Sequence, residues 1–298
     1  MFFSPVLRAS FLATAMVAAA TAASAAGPLK LEVHYADAKS MFPVASELVT
    51  GQTDAVLIDA QFQRNDAEAL VQKIKASGKR LTTVYISHSD PDYYFGLDVI
   101  HAAFPEARIV ATAPTVAAIQ ASKDGKLAHW GPILKDNAPK TLVVHDVLTG
   151  DTIALEGRPI RIVGLDGPAP ARTFAWIPSL KTVVGGIPVS NNIHVWIADT
   201  QSVASRKDWL KTLDRIDALH PKAVVPGHAL PGADGKVSNT TGVAFTRGYL
   251  KAFETEAAKT GESAELVAAM KKRYPTLGAA PSLELSAKVV KGEMKWPQ

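Results

Sequence analysis

The sequence predicts an α/β fold of two sheets covered by helices. Three features predict it: strands alternating with helices up to about residue 122, five short strands in the middle, and a helical tail. Residues 29–35 alternate in polarity like a strand, and 47–50 and 55–59 flank Gly51-Gln52-Thr53-Asp54 as a hairpin. Asp66 opens a helix in which Leu70, Val71 and Ile74 recur at helical spacing, and Gly78 ends it. Residues 80–87 form a buried-type strand, 94–104 a helix stopped by Pro105, 108–113 a strand and 115–122 a helix. The middle strands are expected at 142–145, 152–155, 160–164, 173–177 and 182–184, separated by turn signals such as Thr149-Gly150-Asp151 and Glu156-Gly157. A helix over 205–219 then leads into the strand 223–225. From about residue 239, Val243, Leu250, Phe253 and Ala257 share one helical face, and 265–274 and 283–290 are further helices.

The termini and composition bound the function. Residues 1–25 have the layout of a secretory signal peptide: one charge at Arg8, an alanine-rich apolar core, and Ala23-Ser24-Ala25 as a small-residue cleavage site. The apolar run is shorter than a membrane span requires, so the expected mature protein is periplasmic or secreted and free of the membrane. The chain of 298 residues has no cysteine. That excludes disulfides, a thiolate nucleophile and an iron–sulfur cluster. The formal charge of +4 is scattered, which leaves no nucleic-acid footprint, and the expected partner is a small-molecule substrate.

Candidate chemistry lies at two strand ends. His88, Asp90 and Asp92 place one imidazole and two carboxylates within five residues, a donor set that suits zinc, iron or manganese. The same residues also suit a helix start, with Asp90 as N-cap, Pro91 in the first position and Asp92 in the first turn. His228 closes a Pro226-Gly227-His228 turn after the 223–225 strand, as a site residue or a surface histidine. His34, His101, His129, His145 and His220 have no motif around them. No Gly-x-Ser-x-Gly elbow and no phosphate loop occurs.

Together, the strand ending in His88-Ser89-Asp90-Pro91-Asp92-Tyr93 and the Pro-Gly-His turn resemble the metallo-β-lactamase superfamily. Its metal loop reads His-x-His-x-Asp-His, and its last ligand sits in such a turn. The resemblance covers about residues 29–230 and includes 173–178, 183–186 and 191–199. It implies an αββα sandwich over 29–238, to which 239–298 adds a helical extension. It also implies a cleft with one or two metals, most often zinc, whose bound hydroxide hydrolyses substrate. His88, Asp92 and His228 match ligand positions. Asp90 and Tyr93 stand where histidines are usual, Ile187 stands for a bridging aspartate, and 164–170 lacks the middle histidine. At most one zinc or other divalent metal is therefore expected, held by His88, Asp90, Asp92 and His228, with Asp166, His194 and Tyr93 as additional candidates. Asp90 or Asp92 would act as base in a hydrolase of an ester, lactone or amide bond. The alternative is a metal-poor, catalytically inactive binding or accessory protein.

Overall fold

The computed structural model describes Met1 and residues 27–37 and 39–296; the expected signal segment, apart from Met1, lies outside the described residues. The chain forms β1 (Lys30–Tyr35), β2 (Ala45–Thr50), β3 (Asp54–Ile58), α1 (Arg64–Ala76), β4 (Arg80–Ile86), α2 (Pro91–Tyr94), α3 (Leu97–Ala103), β5 (Arg108–Ala111), α4 (Ala113–Leu134) and β6 (Asp146–Val147). There follow β7 (Thr152–Leu155), β8 (Arg158–Val163), β9 (Phe174–Ile177), β10 (Thr182–Val184), β11 (Ser190–Asn191), α5 (Val203–Ala218), β12 (Ala223–Val224) and β13 (His228–Ala229). Three helices end the chain: α6 (Gly242–Lys259), α7 (Ser263–Arg273) and α8 (Ala280–Val290).

Two sheets stack face to face. The first runs in the order β1-β2-β3-β4-β5-β6 and the second β12-β10-β9-β8-β7, while β11 and β13 form a small parallel pair at the edge of the cleft. Alternation along each strand sets the layers. On β3, Val56 and Ile58 face the second sheet and meet Ile160, Ile162 and Ala175, whereas Ala55 and Leu57 face outward onto Leu70 and Ile74 of α1. The outer face of the second sheet, through Phe174, Trp176 and Val183, is covered by α5 to α8 with Trp209, Leu213, Leu250, Phe253, Leu266 and Leu283. The result is the αββα sandwich with C-terminal helices. No described helix is long and apolar enough to cross a membrane.

Three local expectations differ. The helix expected over 94–104 divides into α2 and α3 at Phe95-Gly96. The helix expected over 115–122 extends as α4 to Leu134, through Gly125 and Pro132. Val116, Ile119, Leu127, Trp130 and Leu134 recur along it and pack on the first core, so tertiary burial carries the helix past the polar Lys123–Lys126 stretch. Residues 142–145 form no strand; Leu142 and Val143 turn to the helix-side core, and pairing with β5 begins at Asp146.

Candidate ligand cleft

Buried hydrogen bonds bring the functional loops together at one end of the sandwich. Asp59, fully buried just past β3, accepts from the Ser87 N–H at 2.8 Å, the Ser87 hydroxyl at 2.7 Å and the Gly186 N–H at 3.2 Å. It thereby fixes the residue before His88 and the residue before Ile187. Gly186 has φ +78° and a Cβ there would lie 2.4 Å from the Thr173 carbonyl, so the turn requires glycine. Thr173 ties the sheets together: its hydroxyl donates to the Ser87 carbonyl at 3.0 Å and lies 2.7 Å from the Tyr85 hydroxyl. Arg172 consequently bridges to His88 backbone to backbone. On the other side, β13 pairs Ser190 with His228. Gly227 allows this approach, since its Cβ would fall 2.1 Å from the Gly186 carbonyl.

Two half-sites result. In the first, His88 is 2% exposed, and its Nδ1 accepts the Asp90 backbone N–H at 3.0 Å. Burial lowers the imidazole to about 3, against the pull of Asp90, so the ring is neutral near pH 7. Its proton is then on Nε2, which is buried without a partner. Asp90 occupies the N-cap position of α2 but caps nothing. Its carboxylate instead meets Lys126 Nζ of α4 at 3.2 Å, and that ammonium also donates to the Ser89 carbonyl at 2.8 Å. Burial pushes the Asp90 carboxyl up, but positive charge beside it, from His88 when that ring is protonated and from Lys126 and Arg172, more than offsets this and lowers it.

The second half-site is a chain of hydrogen bonds. His228 Nε2 donates to Asp92 Oδ2 at 2.6 Å, and its Nδ1 lies 2.9 Å from the hydroxyl of Tyr93, which is fully buried. With Nε2–H spent on Asp92, a neutral ring accepts from Tyr93. The Tyr93 ring is 5.8 Å from His88 and 5.6 Å from His228, so it stands between the two histidines. Beneath both halves lie two carboxyls. Burial, joined by the charge of Asp92, raises Asp59 to about 7 against its three hydrogen bonds. Burial and the Asp59 charge raise Glu47 well above the usual range; neither of its oxygens makes an ordinary hydrogen bond, and the Gly185 N–H only partly offsets the shift.

These groups floor a cleft of about 600 Å³, a size suited to a small molecule. Its walls include Phe42, Trp130, Trp196 and Trp296, with Arg172 and Asp199 at one side. Arg172 Nη2 donates to the Asp199 backbone carbonyl at 3.4 Å. Burial and Asp90 raise the Asp199 carboxyl to about 6, against Arg172 and two indole N–H donors.

The structure brings His88, Asp90, Asp92 and His228 to one cleft, with Tyr93 behind its floor. Asp166 and His194 are elsewhere: Asp166 is 78% exposed and paired with Arg215 at 2.6 Å, and His194 is buried against the Tyr249 hydroxyl at 3.0 Å without lining the cleft. Sequence reading missed Lys126, Arg172, Asp199 and Trp296. Lys126 sits in a polar helical stretch that looks like solvated surface, Arg172 and Trp296 carry no motif, and Asp199 ends the 191–199 segment of the resemblance without a site role attached to it.

The metallo-beta-lactamase superfamily profile matches residues 41–228, so the chain belongs to that superfamily. A metallo-beta-lactamase family protein from Thermus thermophilus superposes with a TM-score of 0.61 at 15% identity, covering 88% of this chain and 93% of that one. A beta-lactamase domain protein from Burkholderia ambifaria gives 0.60 at 16% identity, covering 88% and 84%. A metallo-beta-lactamase from Pontibacter korlensis gives 0.52 at 20% identity, covering 75% and 95%. At these identities the likeness is one of fold. No curated protein matches the chain in sequence.

The superfamily usually holds zinc or another divalent metal, and the donor chemistry of this cleft does not fit one. His88 presents an N–H at Nε2, Asp90 is committed to an ammonium, and Asp92 and His228 satisfy each other. Among the described residues no three histidines or acids gather as a metal-holding group.

Proposed function

We propose that the chain is a small-molecule-binding member of the superfamily whose cleft works without a metal. Lys126 and Arg172 supply the positive charge that metals supply elsewhere in the fold. The observation that carries this reading is the 3.2 Å ion pair between Lys126 and Asp90, at the position where the resemblance puts a second metal ligand. A lysine there competes directly with a cation for the carboxylate. The neighbouring Asp92–His228–Tyr93 chain spends the remaining donors internally. Aromatic walls beside a charged floor suit an amphipathic ligand.

The second reading is a metal-dependent hydrolase of an ester, lactone or amide. One observation favours it: His88, Asp90, Asp92 and His228, the four residues expected to hold a metal, all line one cleft.

Elemental analysis of protein purified without chelators or metal resin separates the two. The proposal expects far less than one zinc, iron or manganese per chain and no rise in Tm on adding zinc or manganese. About one metal per chain, with hydrolysis of such a bond lost on chelation, would overturn it.

A further inference from the structure

One wall of the cleft comes from outside the family-matched segment. Ala279, Ser282 and Trp296 line it, all beyond residue 228. Trp296 reaches the cleft from the segment following α8. Its indole N–H donates to Asp199 Oδ1 at 2.9 Å, and its backbone carbonyl accepts from Gln201 Nε2 at 3.1 Å. Trp196 donates its own indole N–H to Asp199 Oδ2. One carboxylate therefore grips two indoles by their edges, with centroids 5.3 Å apart and planes at 73°. His129 of α4 lies edge-on to Trp296 at 5.9 Å and to Trp130 at 4.8 Å, and this prolongs the aromatic wall.

The hydrogen bonds decide what these rings can offer. Each indole has a single polar donor, and both are spent on Asp199. What remains toward the cleft is ring surface, held in place before any ligand arrives. Both rings are only half-buried, so they are not simply core. Two nearly perpendicular aromatic surfaces form a corner in which a flat ring can stack on one and present its edge to the face of the other. Both are preferred aromatic geometries. A flexible alkyl chain gains only buried area there and loses rotamer freedom.

We propose that Trp296 and Trp196, locked on Asp199, form a subsite for a planar aromatic ring of the ligand, so that the C-terminal segment determines specificity. This rests on reading the cleft as a small-molecule site.

The test compares two monocarboxylates, 2-naphthoate and octanoate, on the full chain by calorimetry. Their equal charge makes any attraction to Lys126 and Arg172 common to both. The native protein is expected to bind 2-naphthoate more tightly. Trp296→Ala should weaken naphthoate about tenfold, the size of one aromatic pair beyond its area, and leave octanoate within about twofold. Trp296→Phe, which keeps a ring, should retain most of the naphthoate affinity and guards against a folding defect in the alanine variant. The subsite is overturned if Trp296→Ala binds both probes as the native protein does, weakens both equally, or tightens both as removal of a simple cover would. A native protein that binds neither probe counts against the small-molecule reading itself, and the subsite falls with it.

Discussion

The two halves of the cleft floor solve one electrostatic problem in different ways. Each holds a carboxylate with little access to water: the side chains of Asp90 and Asp92 are 14% and 11% exposed. Asp90 is balanced by a full charge brought in on α4, 36 residues away in sequence. Asp92 is balanced by a histidine and, behind it, a phenol, with no lysine or arginine among the described residues paired to it. The first half is an ion pair whose partner is 26% exposed; the second is a short-range hydrogen-bonded chain. Two carboxylates in one cleft are thus balanced in two ways, one by imported charge and the other by internal hydrogen bonding. The two solutions should respond differently to pH, salt and mutation.

The largest effect should come from Asp59, which anchors both halves. Its folded carboxyl is raised to about 7 from 3.8, so the folded state holds a proton that the unfolded chain releases. The stability this contributes is fully present below pH 3.8 and is lost as pH rises through 7. Several buried histidines, His88 among them, are lowered and act in the opposite sense below pH 6.5, so the informative quantity is a difference. Urea unfolding of the native protein and Asp59→Asn should show the native advantage shrinking from about pH 4 to 8, by on the order of 4 kcal/mol. Glu47, raised partly by Asp59, adds in the same direction. Parallel profiles would mean that Asp59 is ionised throughout and that its three hydrogen bonds outweigh burial.

Next in size is Lys126→Met, which keeps most of the aliphatic stem and removes the charge. Asp90 is then left largely buried without its cation, at a cost of about 2 kcal/mol, below the range for a fully buried pair because Lys126 is partly solvated. Adding Asp90→Asn should recover much of the loss, because the uncompensated charge disappears. Asp92→Asn alone should cost less than Lys126→Met, since it leaves no unpaired charge. The ion-pair account fails if urea unfolding ranks these two variants the other way.

How much of this was legible in the sequence follows the same divide. The sandwich was readable because strand periodicity and turn residues are local, and β7 and β10 match their expected bounds. His88, Asp90, Asp92 and His228 were readable because the loop and the turn are short motifs. The cation for Asp90 was not, since only the packing of Ile119 and Trp130 on the core turns Lys126 inward from an otherwise polar stretch. Tyr93 stands where a ligand histidine is usual and was an additional metal candidate. Its position is marked, but its role behind His228 depends on the approach of β13, which no local pattern encodes. Asp166 was a candidate by proximity to a missing motif, and exposure with Arg215 at hand draws it to the surface.

The smallest effect, and the sharpest test of the contrast, is Tyr93→Phe. The ring is fully buried and remains so in phenylalanine, which leaves packing nearly unchanged and removes only the hydroxyl 2.9 Å from His228 Nδ1. A single such hydrogen bond is worth about 1 kcal/mol, plus part of the cost of leaving the imidazole nitrogen unpaired. Salt should distinguish the halves more clearly than size does. The Lys126–Asp90 pair opens to a solvated lysine, so its contribution should shrink between low salt and about 1 M, where screening acts within about 3 Å. The Tyr93–His228 bond is made inside the fold with no lysine or arginine in it, so the Tyr93→Phe loss should be the same at both salt concentrations. Urea unfolding of both variants at both ionic strengths makes the comparison. If the Tyr93→Phe loss falls with salt as steeply as the Lys126→Met loss, His228 carries a charge that Tyr93 helps to hold, and the second half-site is ionic like the first.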